Sequence, residues 1–312
     1  MSNQESADEK KSDNQNRCAV IALLGLSNSG KSTLVNRLVG AKVAITSHKI
    51  QTTRAPLRGI TIEGKSQLIF VDTPGIFDPK RIFDRVLLET AWNVVYDSDF
   101  VIILMDASKK IEENFESLCK KIELHKGPKI LVLNKIDKVS KKENLLSLVS
   151  LLKDKLSFDK LFMISALNGD GLQELRIYLA NEAPIGPWLY PAEDISDAPL
   201  RVLAAEITRE KIYKFLHEEI PYATTVVTES WKNLKNGSVR IEQTIYVEKE
   251  SQKKIVIGKS GQSIKTISSQ ARFEISEILE KKVDLFLFVK VRENWSSSPD
   301  FYREVGLEYP KK

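Results

Sequence analysis

Two short stretches of the chain place a glycine, a lysine and a serine in a row, and these residue types hold phosphate groups. The first, "GLSNSGKST", runs from Gly25 to Thr33, and the second lies in "IVIGKSGQSI" at 255–264. The first stretch has the spacing G-x-x-x-x-G-K-[ST], follows an apolar run and precedes an amphipathic one, which is the context that this motif needs. In that context Lys31 neutralises the β- and γ-phosphates of a nucleotide and the Ser32 hydroxyl ligates Mg²⁺.

The stretch "VDTPG" at 71–75 supplies a second element of the same kind of site. Asp72 ends an apolar run, where its carboxylate can hold Mg²⁺ through a water. Gly75 has no side chain, so its backbone N–H can approach a γ-phosphate closely.

The stretch "NKID" at 134–137 indicates which base is bound. The Asp137 carboxylate can accept hydrogen bonds from the N1–H and the 2-amino group of guanine, a pair of donors that adenine lacks. Asn134 can meet the far edge of the purine, and Lys135 can lie along its ring. The "ISA" stretch at 164–166 offers a backbone N–H to the guanine carbonyl. The sequence therefore predicts GTP and GDP as ligands, with Mg²⁺ as the metal.

The predicted nucleotide contacts fall into two groups. The phosphate loop contributes Gly25, Leu26, Ser27, Asn28, Ser29, Gly30, Lys31, Ser32 and Thr33. The later motifs contribute Asp72, Thr73, Pro74, Gly75, Ile76, Asn134, Lys135, Ile136, Asp137, Ser165, Ala166 and Leu167.

These motifs need a sheet to position them. From 18 to about 182, apolar runs such as "CAVIALLG", "DFVIILMDA" and "KILVLNKID" alternate with stretches of helix length, a βαβ pattern. It predicts an open α/β sheet of the P-loop GTPase type with helices on both faces. Such sheets bind ligands at the carboxyl ends of their strands, and the motifs lie there.

Length, charge and composition limit the class of protein to which the chain can belong. The chain has 312 residues, a net charge of +5 and no apolar run of membrane-spanning length. The first 17 residues are polar and lack the apolar core of a signal peptide, which predicts a disordered tail. The two cysteines and three histidines are scattered, so they indicate reduced thiols and no metal cluster.

A second domain is predicted after the nucleotide-binding half. We expect the nucleotide domain at 18–183, a proline-containing linker at 184–199, the second domain at 200–293 and a tail at 294–312. The helical spacing of "RVLAAEITREKIYKFLHEEI", the β-branched runs around Asn236-Gly237 and the final run "DLFLFVKVREN" indicate the order α-β-β-α-α-β.

The second Gly-Lys-Ser does not complete a nucleotide motif, because Lys253 stands where the upstream glycine is required. What remains is a G-x-x-G pattern within the α-β-β-α-α-β order, which resembles a type II KH domain; in KH domains this loop clamps a short single-stranded RNA backbone. An ordinary solvated face is the alternative reading of its lysines. The predicted RNA-binding residues are Lys253, Lys254, Gly258, Lys259, Ser260, Gly261 and Lys265. The aromatic residues Trp231, Tyr246, Phe286 and Phe288 could serve as stacking platforms for bases, but we expect most of them to lie in the core.

Together the motifs resemble the Era family of GTPases. The resemblance is carried by "KVAITSHKIQTTRAPLRGI" at 42–60, by "DTPGIF" and by the KH order, and it covers nearly everything after the tail. It implies that Thr53, or less favourably Thr52, ligates Mg²⁺ from the first switch segment. It also implies RNA partners, the 3′ end of small-subunit (16S) ribosomal RNA and the precursor of the 30S subunit, with RNA binding coupled to the GTP state. A cytoplasmic monomer is expected, with at most weak association with the inner membrane face.

Two positions bear on the rate of hydrolysis. Ile76 stands where small signalling GTPases carry the glutamine that orients water, so slow intrinsic hydrolysis is expected. In related GTPases an asparagine at the position of Asn28 helps to hold K⁺ beside the phosphates; the alternative is that it only stabilises the turn. The residues expected to act in hydrolysis are Asn28, Lys31, Thr53 and Gly75.

One departure from the family pattern and two alternative functions remain. The loop reads Leu26-Ser27-Asn28-Ser29 where the family usually has Arg-Pro-Asn-Val, which leaves binding intact but bears on affinity and rate. One alternative is an RNA-binding scaffold that holds nucleotide without turnover. The other is a GTPase of tRNA modification or large-subunit assembly.

Overall fold

The computed structural model describes residues 15–47, 49, 52–77, 79, 82–141, 143–295, 298–299, 302 and 307–310. Most of the predicted N-terminal tail and part of the predicted C-terminal tail lie outside these residues. The described residues form two compact units, one drawn from 1–43, 56–78 and 91–197, and the other from 44–55, 79–90 and 198–312.

The strands are β1 (Arg17–Leu24), β2 (Leu57–Glu63), β3 (Ser66–Asp72), β4 (Phe100–Asp106), β5 (Lys129–Asn134), β6 (Lys160–Met163), β7 (Thr224–Asn233), β8 (Val239–Val247) and β9 (Val283–Val291). The helices are α1 (Lys31–Val39), α2 (Ile82–Tyr96), α3 (Glu113–Ile122), α4 (Glu143–Lys153), α5 (Leu172–Glu182), α6 (Leu200–Phe215), α7 (Glu250–Ile257) and α8 (Gln262–Leu279). Single 3₁₀ turns occupy Ile136–Lys138 and Lys259–Gly261.

The first unit is built on a six-stranded sheet in the order β2-β3-β1-β4-β5-β6. Its strands are parallel except β2, which runs antiparallel to β3 at one edge. Alternate residues of β1 face opposite sides: Ile21 packs in the cluster with α1 and α5, and Ala22 in the cluster with α2, α3 and α4. Helices therefore cover both faces, which confirms the predicted open α/β fold.

The edge strand β2 was not among the predicted strands. Its sequence "LRGITIE" is short and mixes polar with apolar residues, so it lacks the continuous apolar run of a buried parallel strand. It is fixed instead by full antiparallel pairing with β3, from Leu57 opposite Asp72 to Glu63 opposite Ser66.

The 184–197 stretch follows α5 without forming a helix or strand, yet it is held against the first unit. The amide of buried Gln67 accepts hydrogen bonds from the Leu189 and Tyr190 N–H groups at 2.9 and 3.0 Å and donates to the Tyr190 carbonyl at 2.8 Å. Asp197 forms an ion pair with Arg58 at 2.8 Å. Only residues 198–199 therefore separate these anchors from the start of α6.

The second unit contains a three-stranded sheet in the order β7-β8-β9, with β7 antiparallel and β9 parallel to β8. Apolar residues of α6, α7 and α8 pack against one face of this sheet. The observed order α6-β7-β8-α7-α8-β9 confirms the predicted α-β-β-α-α-β succession.

The other face of this sheet exposes aromatic side chains. Phe286 and Phe288 of β9 are 43% and 50% exposed, and the Arg240 guanidinium lies 4.7 Å from the Phe286 ring centroid. For these two rings the expectation of a core position was wrong, because the helices α6, α7 and α8 pack against the opposite face of the sheet. In the part of the chain that the structure describes, no helix is both long and apolar enough to cross a bilayer.

Candidate nucleotide site and the second glycine loop

The phosphate loop joins the end of β1 to the start of α1, and two glycines let it pack closely. A Cβ at Gly25 would lie 2.3 Å from the Leu104 carbonyl oxygen, and one at Gly30 would lie 2.3 Å from the Asn134 Nδ2. Gly30 also has a φ of 103°, in the left-handed region that disfavours other residues. Both positions therefore require glycine for space, and Gly30 requires it for conformation as well.

Lys31 points back into this loop. Its side chain is 6% exposed, and its Nζ donates to the carbonyl oxygens of Gly25 and Leu26 at 3.1 and 3.2 Å. Burial lowers the pKa of Lys31 to about 8, against an opposing influence of Asp72. A buried cation held on neutral carbonyls gains strongly from an anion, so the loop fits a phosphate group.

The hydroxyls of the loop give the same indication. The Oγ atoms of Ser27 and Ser29 are buried and have no hydrogen-bond partner among the described residues. Buried hydroxyls without partners are costly, and phosphate oxygens would supply acceptors for them.

Ser32 and Asp72 meet beside Lys31. The Ser32 Oγ donates to the Asp72 Oδ2 at 2.6 Å, and the Asp72 side chain is fully buried. Hydroxyl and carboxylate oxygens are ligands that Mg²⁺ prefers, and this ion keeps several waters and needs few protein ligands. Among the described residues, no group of three or more His, Cys, Asp or Glu side chains is placed to hold a metal ion. The pair thus fits Mg²⁺ held largely by nucleotide and water.

The stretch after Asp72 lies against the phosphate loop. The Thr73 Oγ1 donates to the Leu23 carbonyl at 2.6 Å, and the Ile76 N–H donates to the Gly25 carbonyl at 3.1 Å. A Cβ at Gly75 would lie 2.8 Å from the Ser27 Oγ. The Ile76 side chain packs with Leu26 against the apolar cluster of α2 and α3. Pro74 lies within this stretch, between Thr73 and Gly75.

Asn134 links three loops of the site. Its Nδ2 donates to the Ser29 carbonyl at 2.8 Å, while its Oδ1 accepts from the N–H groups of Lys135 and Ala166 at 2.8 and 2.9 Å. Asn134 therefore holds the phosphate loop, the predicted guanine-reading turn and the loop after β6 together. The roles predicted for Asn134 and Ala166 toward the base stay predictions.

Lys135 is held by a residue that sequence reasoning did not select, Asp106. The Lys135 Nζ donates to the Asp106 Oδ2 at 2.8 Å and to the Asn28 carbonyl at 2.6 Å. Burial raises the pKa of Asp106, but hydrogen bonds from Lys135 and Ser108 outweigh it and leave this pKa below its usual value. Asp106 ends β4 in "ILMDA", and this position at a strand end was the available signal.

Asp137 is exposed at the mouth of the site, in the 3₁₀ turn that also contains Ile136. Its Oδ1 accepts from the Ser165 Oγ at 2.6 Å, which orients the carboxylate. Leu167 is exposed next to it, and its carbonyl accepts from Arg37 at 2.5 Å. The residues nominated to recognise guanine therefore lie together at one edge of the first unit.

Asn28 adopts left-handed backbone geometry with a φ of 63°. Asparagine tolerates this conformation better than most residues, which agrees with a role in the turn. Thr33 follows Ser32 in the first turn of α1.

Thr52 and Thr53 lie in the 44–55 segment, which belongs to the second unit. The Thr52 Oγ1 donates to the Lys49 carbonyl at 2.8 Å, so this hydroxyl has a local acceptor. The assignment of Thr53 as the metal ligand, with Thr52 as the less favoured candidate, stays a prediction.

The second glycine loop has a different character. Gly258 ends α7 with a φ of 76°, and a Cβ there would lie 2.2 Å from the Ser263 Oγ. Gly261 has the same φ, but no atom lies within 4 Å of its Cβ position. Lys259 and Ser260 between them are exposed. The loop is therefore an open, positively charged turn that a polymer backbone can approach.

The neighbouring lysines surround this turn. Lys254 and Lys265 are exposed on α7 and α8, and half-buried Lys253 lies 3.7 Å from Glu250. The nominated RNA-binding residues thus share one region of the second unit.

Comparisons with known proteins agree with both halves. The family described as 50S ribosome-binding GTPase matches residues 20–135, and the family described as KH domain matches residues 219–296. The protein named GTPase Era of Afipia carboxidovorans is 56% identical over 296 residues, covering 95% of this chain and 96% of the relative. GTPase Era of Bradyrhizobium sp. strain ORS 278 is 54% identical and covers 98% of this chain and 100% of the relative.

Two solved structures are similar along most of the chain. One is a variant of Aquifex aeolicus Era bound to GDP and AlF₄⁻, with a TM-score of 0.89, 36% identity and coverage of 93% of this chain and 99% of that one. The other is Era in complex with MgGDPNP and nucleotides 1506–1542 of 16S ribosomal RNA, with a TM-score of 0.88, 36% identity and the same coverage. The chain belongs to the Era family of GTPases.

Proposed function

We propose that the protein binds the 3′ end of 16S ribosomal RNA through its second unit and assists assembly of the 30S subunit, with RNA binding coupled to its GTP state. The observation that carries this proposal is the presence, on one chain, of a buried phosphate cradle and an exposed G-x-x-G turn surrounded by lysines. The Era relative in complex with MgGDPNP and 16S nucleotides 1506–1542 supports it.

In this proposal the nucleotide site works by positioning and charge. Lys31 and the loop backbone hold the phosphates, and the Asp137 carboxylate selects guanine. Ser32, Asp72 through water, and Thr53 would hold Mg²⁺, which neutralises charge on the phosphates when bound. Gly75 presents its N–H to the γ-phosphate.

Hydrolysis is slow in this proposal because Ile76 cannot orient a water molecule. Its side chain has no polar atom and packs in an apolar cluster with Leu26. Water must be positioned by other groups, and K⁺ held beside Asn28 would supply the positive charge that an arginine finger supplies elsewhere.

Multiple-turnover phosphate release tests the proposal. The rate is measured with and without an RNA corresponding to 16S nucleotides 1506–1542, each in potassium and in sodium buffer. We expect turnover in potassium that changes when the RNA is added. Turnover equal in the two salts contradicts the potassium role. No turnover under any condition would favour a scaffold that holds nucleotide without hydrolysis.

The family that matches residues 20–135 is described as a 50S ribosome-binding GTPase. Large-subunit assembly is therefore the second candidate function. Competition separates it from the first: we expect the 16S 3′-end RNA to displace a labelled copy of itself, and equimolar tRNA or 23S fragments to leave it bound. A cytoplasmic location, a monomeric state and weak association with the inner membrane face stay predictions.

A further inference from the structure

The segment 44–55, which carries the predicted metal ligand Thr53, is bound into the second unit at several points. The Thr46 N–H and hydroxyl both donate to the Glu210 Oε1, at 2.8 and 3.3 Å. The Lys49 Nζ donates to the Leu216 carbonyl. Glu210 belongs to α6 and Leu216 follows it, so the segment is anchored on the first helix of the KH-containing unit.

A buried arginine of α6 holds the residue immediately before Thr53. Arg209 is 1% exposed, and its Nη2 donates to the Thr52 carbonyl at 2.5 Å. Glu206, one turn earlier, orients this guanidinium by accepting from its Nε at 2.8 Å. Burial lowers the pKa of Arg209, but the Glu206 carboxylate outweighs it and keeps this pKa above its usual value. The contact to Thr52 is therefore made by a charged and oriented donor.

A second buried arginine is the residue immediately after Thr53. Arg54 is 6% exposed, and its Nη1 donates to the Thr224 carbonyl at 2.8 Å. Its guanidinium lies 5.6 Å from the centroid of the Trp295 ring. Thr53 is thus flanked by two buried arginine contacts, which join the 44–55 segment to α6 and to the start of β7 within the second unit.

Ionic contacts continue from this segment to α8. Glu210, which binds Thr46, also pairs with Lys211 at 3.0 Å, and Lys211 pairs with Glu274. Glu274 lies in the C-terminal half of α8, the helix whose N-terminal end follows Gly261. Charged side chains in a buried network have few alternative partners, so displacing one member displaces the next.

We propose that Lys49, Arg54 and Arg209 are positioning residues that transmit the nucleotide state to the RNA-binding turn, by holding the backbone of the 44–55 segment in place. This inference rests on the proposed coupling of GTP and RNA binding and adds the residues that carry it. In this proposal bound nucleotide holds the 44–55 segment through Thr53, and α6 holds the same segment through Arg209. A change in one of these contacts therefore changes the free energy of the other.

The test is the affinity of the full chain for RNA of 16S nucleotides 1506–1542, measured by fluorescence anisotropy with GDP and with GDPNP. Wild type is compared with Arg209→Met and with Lys49→Met. The Lys49→Met variant removes one anchor of the segment and leaves no buried charge without a partner. Arg201→Met is the matched control, because Arg201 lies on the same helix but donates to the Thr228 carbonyl at 2.9 Å. Circular dichroism and GDP affinity verify that each variant is folded.

Allosteric couplings are typically about 5–150-fold, and we expect the wild-type ratio of the two RNA affinities to fall in this range. The ratio should fall to about 1–2 in Arg209→Met and part of the way in Lys49→Met, while Arg201→Met keeps the wild-type value. If Arg209→Met does not fold, Lys49→Met decides. Wild-type ratios in folded anchor variants would overturn this proposal and leave the proposed function standing. A ratio of one in wild type would contradict the proposed coupling itself.

Discussion

Lys31 and Lys259 each follow a glycine and precede a serine, yet one is buried and the other is exposed. Lys31 lies in a loop whose glycines are crowded by Leu104 and Asn134, and it points at the carbonyls of its own loop. Lys259 lies in a turn whose second glycine faces open space. A concave loop selects one small ligand and encloses it, whereas an open turn accepts a passing polymer backbone.

Removing the buried cation tests whether Lys31 and Lys259 have different roles in GTP binding. Lys31→Met should weaken GTP binding by about two to four orders of magnitude, because removing one partner of a buried charge pair costs about 3–5 kcal/mol. Titration with a fluorescent GTP analogue measures the effect. Lys259→Met is the matched control and should bind GTP like wild type; equal losses in both variants would contradict the contrast between the loops.

The glycines provide a second contrast. Gly30→Ala combines left-handed strain with a clash against Asn134, which is held by Ser29 and Ala166, so we expect a loss of about 2–4 kcal/mol in unfolding free energy. Gly261→Ala meets only the strain and should lose about 1–2 kcal/mol.

Urea unfolding followed by circular dichroism measures both glycine variants. A larger loss in Gly261→Ala than in Gly30→Ala would show that the two loops are not packed as described.

Proton uptake tests the buried state of Lys31 directly. Its folded pKa of about 8 is below the ordinary value of 10.5, and bound phosphate favours the charged form, so binding must raise this pKa. Above pH 8 the free protein has lost the proton, and GDP affinity should therefore fall with rising pH, by at most about tenfold per pH unit.

Calorimetry of GDP binding in two buffers of different ionisation enthalpy measures that uptake. At pH 8.5, above the Lys31 pKa of about 8, we expect GDP binding to take up a measurable part of one proton. At pH 6.5 the same experiment is the control, with uptake from Lys31 near zero. Equal uptake at both pH values would show that Lys31 does not titrate in this range.

The smallest expected effect concerns the exposed lysines of the second loop. Lys265→Gln removes one charge near an RNA backbone, so the slope of log affinity for RNA against log salt should decrease in magnitude by about 0.7. Anisotropy titrations at several KCl concentrations measure it. An unchanged slope would assign Lys265 to an ordinary solvated face.

The motifs and the order of elements could be predicted because each depends on residues that are close together in the sequence. The phosphate loop lies between its strand and helix, and Asn236-Gly237 marks the turn between β7 and β8. Strand β2 was not predictable in this way, because its antiparallel pairing with β3 and not its own composition places it at the sheet edge.

Long-range contacts were the part that sequence patterns could not supply. Arg54 reaches the carbonyl of Thr224, 170 positions away, and nothing in "QTTR" indicates that partner. Likewise "DLFLFVKV" has the apolar run of a buried strand, but Phe286 and Phe288 are exposed on the sheet face opposite to α6, α7 and α8. The partner of Arg54 and the exposure of the two phenylalanines are set by packing between residues that are distant in the sequence.

Two affinities measured in one variant of the full chain test most directly whether the protein has two separate phosphate-binding loops. Lys259→Asp combined with Ser260→Asp places two negative charges in the open turn, where an RNA phosphate would otherwise approach. We predict that this variant loses binding to RNA of 16S nucleotides 1506–1542 while its GTP affinity stays at the wild-type value. Loss of both affinities together in a folded variant would contradict two separate phosphate-binding loops, and retained RNA binding would contradict the role of the second.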